Sequence, residues 1–108
     1  MLMYRAVLVS HPTHAYAMVN LGNLHFRKGE IGKAKEFYER ARSLEPRMPE
    51  AAYNLGYMAL EDREYSDAIA LFEIAIKGDP GFADAHHNLA VARQRAENAL
   101  WCGKQRLP

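Results

Sequence analysis

Asn20, Asn54 and Asn88 stand 34 residues apart, each followed by a leucine in Asn20-Leu21, Asn54-Leu55 and Asn88-Leu89. A primary amide donates and accepts hydrogen bonds at once, so a row of them on one surface suits the backbone of an extended peptide whatever its side chains. Asparagine costs a helix roughly half a kcal/mol against alanine, so its repetition implies that something holds each amide, either a ligand or a neighbouring helix. The sequence leaves both open. Other chemistry finds little support. Of the five histidines, His11, His14, His25, His86 and His87, the adjacent pair point about 100° apart on a helix and cannot easily share a metal, and no HExxH or CxxC spacing occurs. The single cysteine, Cys102, has no evident activating partner, and no serine or carboxylate pair is placed beside a histidine as a nucleophile and its base. We therefore expect no metal, no cofactor and no catalytic residue. Recognition is the chemistry these residues can do.

What positions the asparagines is a repeat. Ala15 to Pro46 and Pro49 to Pro80 align at an offset of 34, with Ala34, Tyr38, Ala41 and Pro46 landing on Ala68, Phe72, Ala75 and Pro80, and Gly22 on Gly56 and Ala90. Within each unit apolar residues recur at helical spacing. Turn formers interrupt them at Gly29-Glu30 and Asp62-Arg63, and again at Glu45-Pro46 and Gly78-Asp79-Pro80. Each unit is thus a helix hairpin. The pattern predicts helices at about 2–10, 14–27, 30–43, 48–61, 64–77 and 82–100, with no competing strand signal. Gly22, Gly56 and Ala90 allow close helix approach, Tyr38 and Phe72 fill the space between units, and each hairpin leans on its neighbours for stability. Composition agrees with a folded module: 49% of residues are hydrophobic and 25% charged, with 14 Lys and Arg against 13 Asp and Glu. So balanced a charge offers no field to draw in a phosphate backbone, so nucleic acid is not an expected partner.

The spacing of Leu21-Gly22, Ala34, Tyr38, Ala41 and Pro46, copied in Leu55-Gly56, Ala68, Phe72, Ala75 and Pro80, resembles the tetratricopeptide repeat. That resemblance implies an all-α, right-handed superhelical solenoid of antiparallel helix pairs, about six helices in one domain spanning 1–108. Residues 1–13 would supply the second helix of a partial preceding repeat, since Tyr4 and Pro12 lie 34 before Tyr38 and Pro46. Residues 14–47 and 48–81 form two complete repeats, and 82–108 a partial third repeat or a capping helix and tail. The first helices depart from the family pattern at Met18, Ala52 and His86, and again at His25 and Ala59, which points to looser packing there.

In arrays of this family the first helices line a concave groove, so the resemblance implies that a ligand meets them. Helical spacing then gives the groove Tyr16, Val19, Asn20, Asn23, Phe26 and Arg27 from the first repeat. The second adds Glu50, Tyr53, Asn54, Tyr57, Leu60 and Glu61, and Asp84, His87, Asn88 and Val91 continue the set. Tyr16, Phe26, Tyr53 and Tyr57 provide rigid apolar area with polar handles, although Phe26 and Tyr53 also suit packing between helices. The expected partner is a short peptide segment of another protein, with apolar side chains and a basic residue to meet Glu50, Glu61 or Asp84. A second family mode, in which basic side chains clamp a chaperone's terminal carboxylate, is not expected: Asn23 and Asn54 match it, but Val19, Asp84 and Asn88 occupy its basic places.

The ends carry further expectations. The opening MLMYRAVLVS is interrupted by Arg5 and reads as a folded helix rather than a leader, no segment reaches the roughly 18 apolar residues of a membrane span, and a single cysteine fits the cytoplasm. Past Asn88 no inter-helix turn is visible before Gly103. Either Glu97-Asn98 breaks the third first-helix or it runs on through Trp101 as a cap, the arrangement we expect, setting Leu89, Ala96 and Leu100 against the second repeat. The uncovered helix at 2–10, with Leu2, Tyr4, Val7 and Leu8, would alternatively let the module pair with a second copy as a homodimer through its terminal helices.

Overall fold

The computed structural model describes residues 12–106, with side chains from 14 to 101. Five α-helices occupy them and no strand does: α1 (Pro12–Arg27), α2 (Ile31–Leu44), α3 (Pro49–Glu61), α4 (Tyr65–Gly78) and α5 (Ala83–Arg106). The helix expected at 2–10 lies outside the described residues. α1 pairs with α2 and α3 with α4 as two hairpins, α2 then meets α3, and α5 packs on α4 and touches α3. The result is a helical solenoid, 68 × 30 × 19 Å along its principal axes.

Both hairpins close through the same turn. Gly29 N–H donates to Phe26 C=O at 3.0 Å and Glu30 N–H to His25 C=O at 2.9 Å. One repeat later Arg63 N–H donates to Leu60 C=O at 3.1 Å and Glu64 N–H to Ala59 C=O at 2.9 Å. These are the paired bonds of a Schellman ending, which requires a left-handed residue. Gly29 adopts it at φ 83° without penalty, whereas Arg63 adopts it at φ 64° against the crowding of its own Cβ.

Inside each hairpin the contact that sets helix spacing is glycine against an aromatic ring. A Cβ on Gly22 would lie 2.6 Å from Tyr38 Cε1, and one on Gly56 would lie 2.8 Å from Phe72 Cε1 and 3.2 Å from Leu71 Cβ. Phe72 is fully buried, and Ala34, Ala41, Ala68 and Ala75 are buried beside these rings. The core therefore runs in linked clusters rather than one centre. Ala15, Val19, Tyr38 and Leu55 join α1, α2 and α3, while Leu60, Phe72, Leu89 and Ala92 join α3, α4 and α5.

α5 runs unbroken through Glu97 and Asn98 to Arg106. Leu89 is buried against the second repeat and Ala96 is half-buried, but Leu100 is 70% exposed, contrary to its expected place in the seam. The reason is length: α5 outruns the 14-residue α4 it packs on, so its last turns project past the hairpin. Among the described residues no helix is long and apolar enough to cross a membrane.

Substitutions at these contacts have opposite expected signs. Phe72→Ala should lower the free energy of urea unfolding by about 3–5 kcal/mol. Gly56→Ala should lower it by about 1–3 kcal/mol despite alanine's better helix propensity, because the methyl meets a ring held on all sides. Arg63→Gly should raise it by about 1 kcal/mol by relieving the left-handed backbone.

Candidate peptide-binding face

α1, α3 and α5 are the first helices of their units, and their facing surfaces carry most of the residues picked out above. Asn23, Phe26, Tyr53, Asn54 and Tyr57 surround one crevice of about 290 Å³ together with Tyr38. Asn23 is its hub: its Oδ1 accepts from the Tyr38 hydroxyl at 2.6 Å and from Asn54 Nδ2 at 3.3 Å. One repeat on, Asn88 Nδ2 donates to the Tyr53 hydroxyl at 2.8 Å. Two rungs of the asparagine ladder are thus held by the preceding first helix, each using one of its amide's donors. Asn20 lies outside this crevice. It lines an adjoining one of about 530 Å³ with Asn23, Leu24 and Arg27.

Not every expected groove residue faces the groove. Val19 and Leu60 are each 4% exposed and belong to the core, Val19 beside Tyr38 and Leu55, Leu60 beside Phe72 and Leu89. They sit at the edge of the helix face where it turns into the seam with the next helix. Tyr16 is exposed and lines neither crevice. Glu50 also lies outside both, with Oε1 buried and no hydrogen-bond partner among the described residues. Tyr53 does two things at once: its ring stacks at an angle on Phe72 and Phe82, at 5.7 and 4.9 Å between centroids, while its hydroxyl stays in the crevice wall. His25, a departure from the family pattern, lies flat on Phe37 at 5.2 Å and donates to Glu30 Oε1 at 2.9 Å. That bond is the chief reason the Glu30 carboxyl sits below its usual pKa.

Tyr38 was legible as a packing residue, and its part in the crevice was missed. The available signal was the mismatch between repeats: Phe72 fills the same place without a hydroxyl. Negative charge borders the crevice. Tyr57 is hydrogen-bonded to Glu61, which raises the phenol pKa. Burial raises that of Tyr53, and the nearby Asp84 carboxylate adds to it. Among the described residues no three His, Cys, Asp or Glu side chains gather to hold a metal ion.

The buried phenols give the fold an alkaline limit. Burial raises the pKa of Tyr38 above its ordinary value, as it does for Tyr53, so both ionise less readily folded than unfolded. Their contribution to stability is whole below the unfolded tyrosine value of about 10 and is lost as pH rises through the higher folded values. The urea midpoint should fall above that pH. Tyr38→Phe should cost about 1 kcal/mol at neutral pH, from the lost bond to Asn23, and make the alkaline fall shallower; an identical alkaline slope in the variant would contradict the linkage.

Comparison with known proteins matches this architecture. Residues 3–43 and 20–83 match the family model of the tetratricopeptide repeat. Among curated proteins, the chain is similar to the TPR repeat-containing thioredoxin TTL4 of Arabidopsis thaliana, at 34% identity over 101 residues, covering 84% of this chain and 15% of that protein. It is also similar to the human Tetratricopeptide repeat protein 8, at 28% identity, covering 84% of this chain and 17% of the other. The Photosystem I assembly protein Ycf3 of Rippkaea orientalis is 34% identical over 68 residues, covering 56% of this chain and 39% of that one. In each case the chain spans well under half of the relative. A 34-residue repeat, its glycine–aromatic hairpins and these matches together place the chain in the tetratricopeptide repeat family.

Proposed function

We propose that this chain is a protein-interaction module that binds an extended peptide segment of a partner along the face made by α1, α3 and α5, and that it carries out no catalytic step. The observation that carries this reading is the crevice among Asn23, Phe26, Tyr38, Tyr53, Asn54 and Tyr57. It combines amides with hydrogen-bonding capacity beyond the internal bonds they make, and aromatic rings fixed in place by packing. Rigid aromatic area at low entropic cost is what peptide hot spots use. Asn20 extends the amide row on one side and Asn88 on the other. Glu61 beside Tyr57, Asp84 beside Tyr53, and Glu50 and Tyr16 at the same repeat position as Asp84 favour a segment with a basic residue among apolar ones.

The relatives support a scaffold more than an enzyme. One is named for its assembly role and the others for the repeat itself. The near-zero net charge disfavours nucleic acid as the partner, and the lone cysteine suits a reducing compartment such as the cytoplasm.

Peptides selected from a displayed random library against the folded chain should contain a lysine or arginine within an apolar run. Their binding should weaken at least about tenfold in Tyr57→Ala, an exposed ring whose removal leaves the core intact. Asn54→Ala should weaken it less, and backbone resonances of α1, α3 and α5 should move on titration. If Tyr57→Ala binds as well as the wild type, or the moving resonances lie on α2 and α4, the concave-face reading is wrong.

A further inference from the structure

A cavity of about 600 Å³ opens on the opposite side, between the second helices α2 and α4 with α3 beneath. Its volume lies within the range of ligand-sized pockets. Buried Leu55 and Met58 make its apolar lining together with half-buried Leu71 and Ile74. Its ends differ in charge. At the turn where α3 passes into α4, Asp62, Glu64 and Asp67 gather three carboxylates against one cation, Lys35. Lys35 to Arg42 is seven residues of α2, about 10 Å at 1.5 Å per residue, and Arg42 lies at the far end with Glu39 one turn before it. Arg42 Nε is buried with no hydrogen-bond partner, and none of these charges forms a salt bridge among the described residues. A groove with an apolar middle and a buried guanidinium nitrogen that has no partner fits a helix carrying an acid beside two apolar residues.

The chain itself contains that sequence. On the part of α5 that outruns α4, Glu97, Leu100 and Trp101 share one face by their spacing, and Leu100 and Trp101 are 70% and 62% exposed. We propose that the projecting end of α5 docks into the groove between α2 and α4 of a second copy, with Leu100 and Trp101 over Leu71 and Ile74 and Glu97 toward Arg42. The docked helix runs antiparallel to α2 and α4, the orientation the first helices already have. The two surfaces are different patches of one molecule, so the contact is head-to-tail and joins copies into a ring or an open chain. It leaves the crevice of Asn23 and Tyr57 open.

Sedimentation equilibrium of the full chain from about 10 µM to 1 mM, the range of small and weak interfaces, tests this. The apparent mass should climb past twice the monomer's and fall back in high salt. Trp101→Ala, Arg42→Glu and Glu97→Arg should each weaken association at least tenfold while circular dichroism stays native. An equimolar mixture of Arg42→Glu with Glu97→Arg should recover it, because each variant's altered surface matches the other's. Should Arg42→Glu fail to fold, Glu97→Arg and Trp101→Ala, both at exposed positions of α5, carry the test. Tyr57→Ala should associate normally, which separates this contact from peptide binding. A mass that stays monomeric throughout overturns the proposal and leaves the groove to a foreign helix. Association that survives Glu97→Arg or Trp101→Ala also overturns it, by assigning the self-contact to another surface.

Discussion

The contact on which the rest of the structure depends is an aromatic ring laid against a helix that has no side chain at that point. Tyr38 over Gly22 and Phe72 over Gly56 bring the two helices of each hairpin close enough that even a methyl group would overlap the ring. Each hairpin alone buries too little to stand, so its spacing must match that of its neighbour if the clusters are to link. The same small-against-large pair, repeated, meets this need. Ala34, Ala41, Ala68 and Ala75 keep the remaining crossings equally tight. At α5 the equivalent residue is Ala90, which is exposed: among the described residues no second helix follows to press a ring against it, and the requirement for glycine lapses with the contact.

Close packing also decides where polar chemistry can sit. Apart from the tyrosine hydroxyls, no polar or charged side chain is buried among the described residues, and Asn23, Asn54 and Asn88 lie half-buried at the rim of the clusters. Tyr38 shows how one residue serves both purposes. Its ring completes the hairpin, and its hydroxyl reaches through to Asn23, which in turn holds Asn54 of the next unit. Phe72 cannot do this, and the second junction uses Tyr53 and Asn88 instead. The two junctions are therefore chemically unlike although their backbones repeat, which is how a repeated scaffold acquires a particular ligand.

The helices were readable because repetition multiplies weak signals. A single Gly-Glu turn is ambiguous, but the same break 34 residues later, between helices of matching periodicity, is not, and the described boundaries fall within about two residues of their expected places except at the end of α5, which runs to Arg106 rather than 100. Side-chain direction was harder. Helical spacing orders residues around an axis without fixing where the seam with the next helix begins, and Val19 and Leu60 fell on its far side. Leu100 failed for a different reason, since apolar spacing continues along α5 after the surface it would cover has ended. The asparagine ladder was visible as a pattern, whereas its partners were not. Asn23 and Tyr53 stand 31 and 35 residues from the amides they bind, offsets that bracket the period without equalling it.

That offset also explains why the groove between α2 and α4 has no signature in the repeat. Its walls come from equivalent helices, yet Arg42 corresponds to Ile76 and Lys33 to Asp67, so charge changes sign or vanishes between copies of one position. A repeat constrains the residues that touch along the axis and leaves the outward ones free. Outward residues of adjacent units are nevertheless neighbours in space, and a surface made from two of them can acquire polarity that neither unit has alone. In this chain the inward-facing first helices carry amides and phenols and the outward-facing second helices carry opposed charges around an apolar strip. Two surfaces of different chemistry thus share one core, and because the glycine–aromatic contacts hold that core from both sides, a change confined to either surface need not disturb the other.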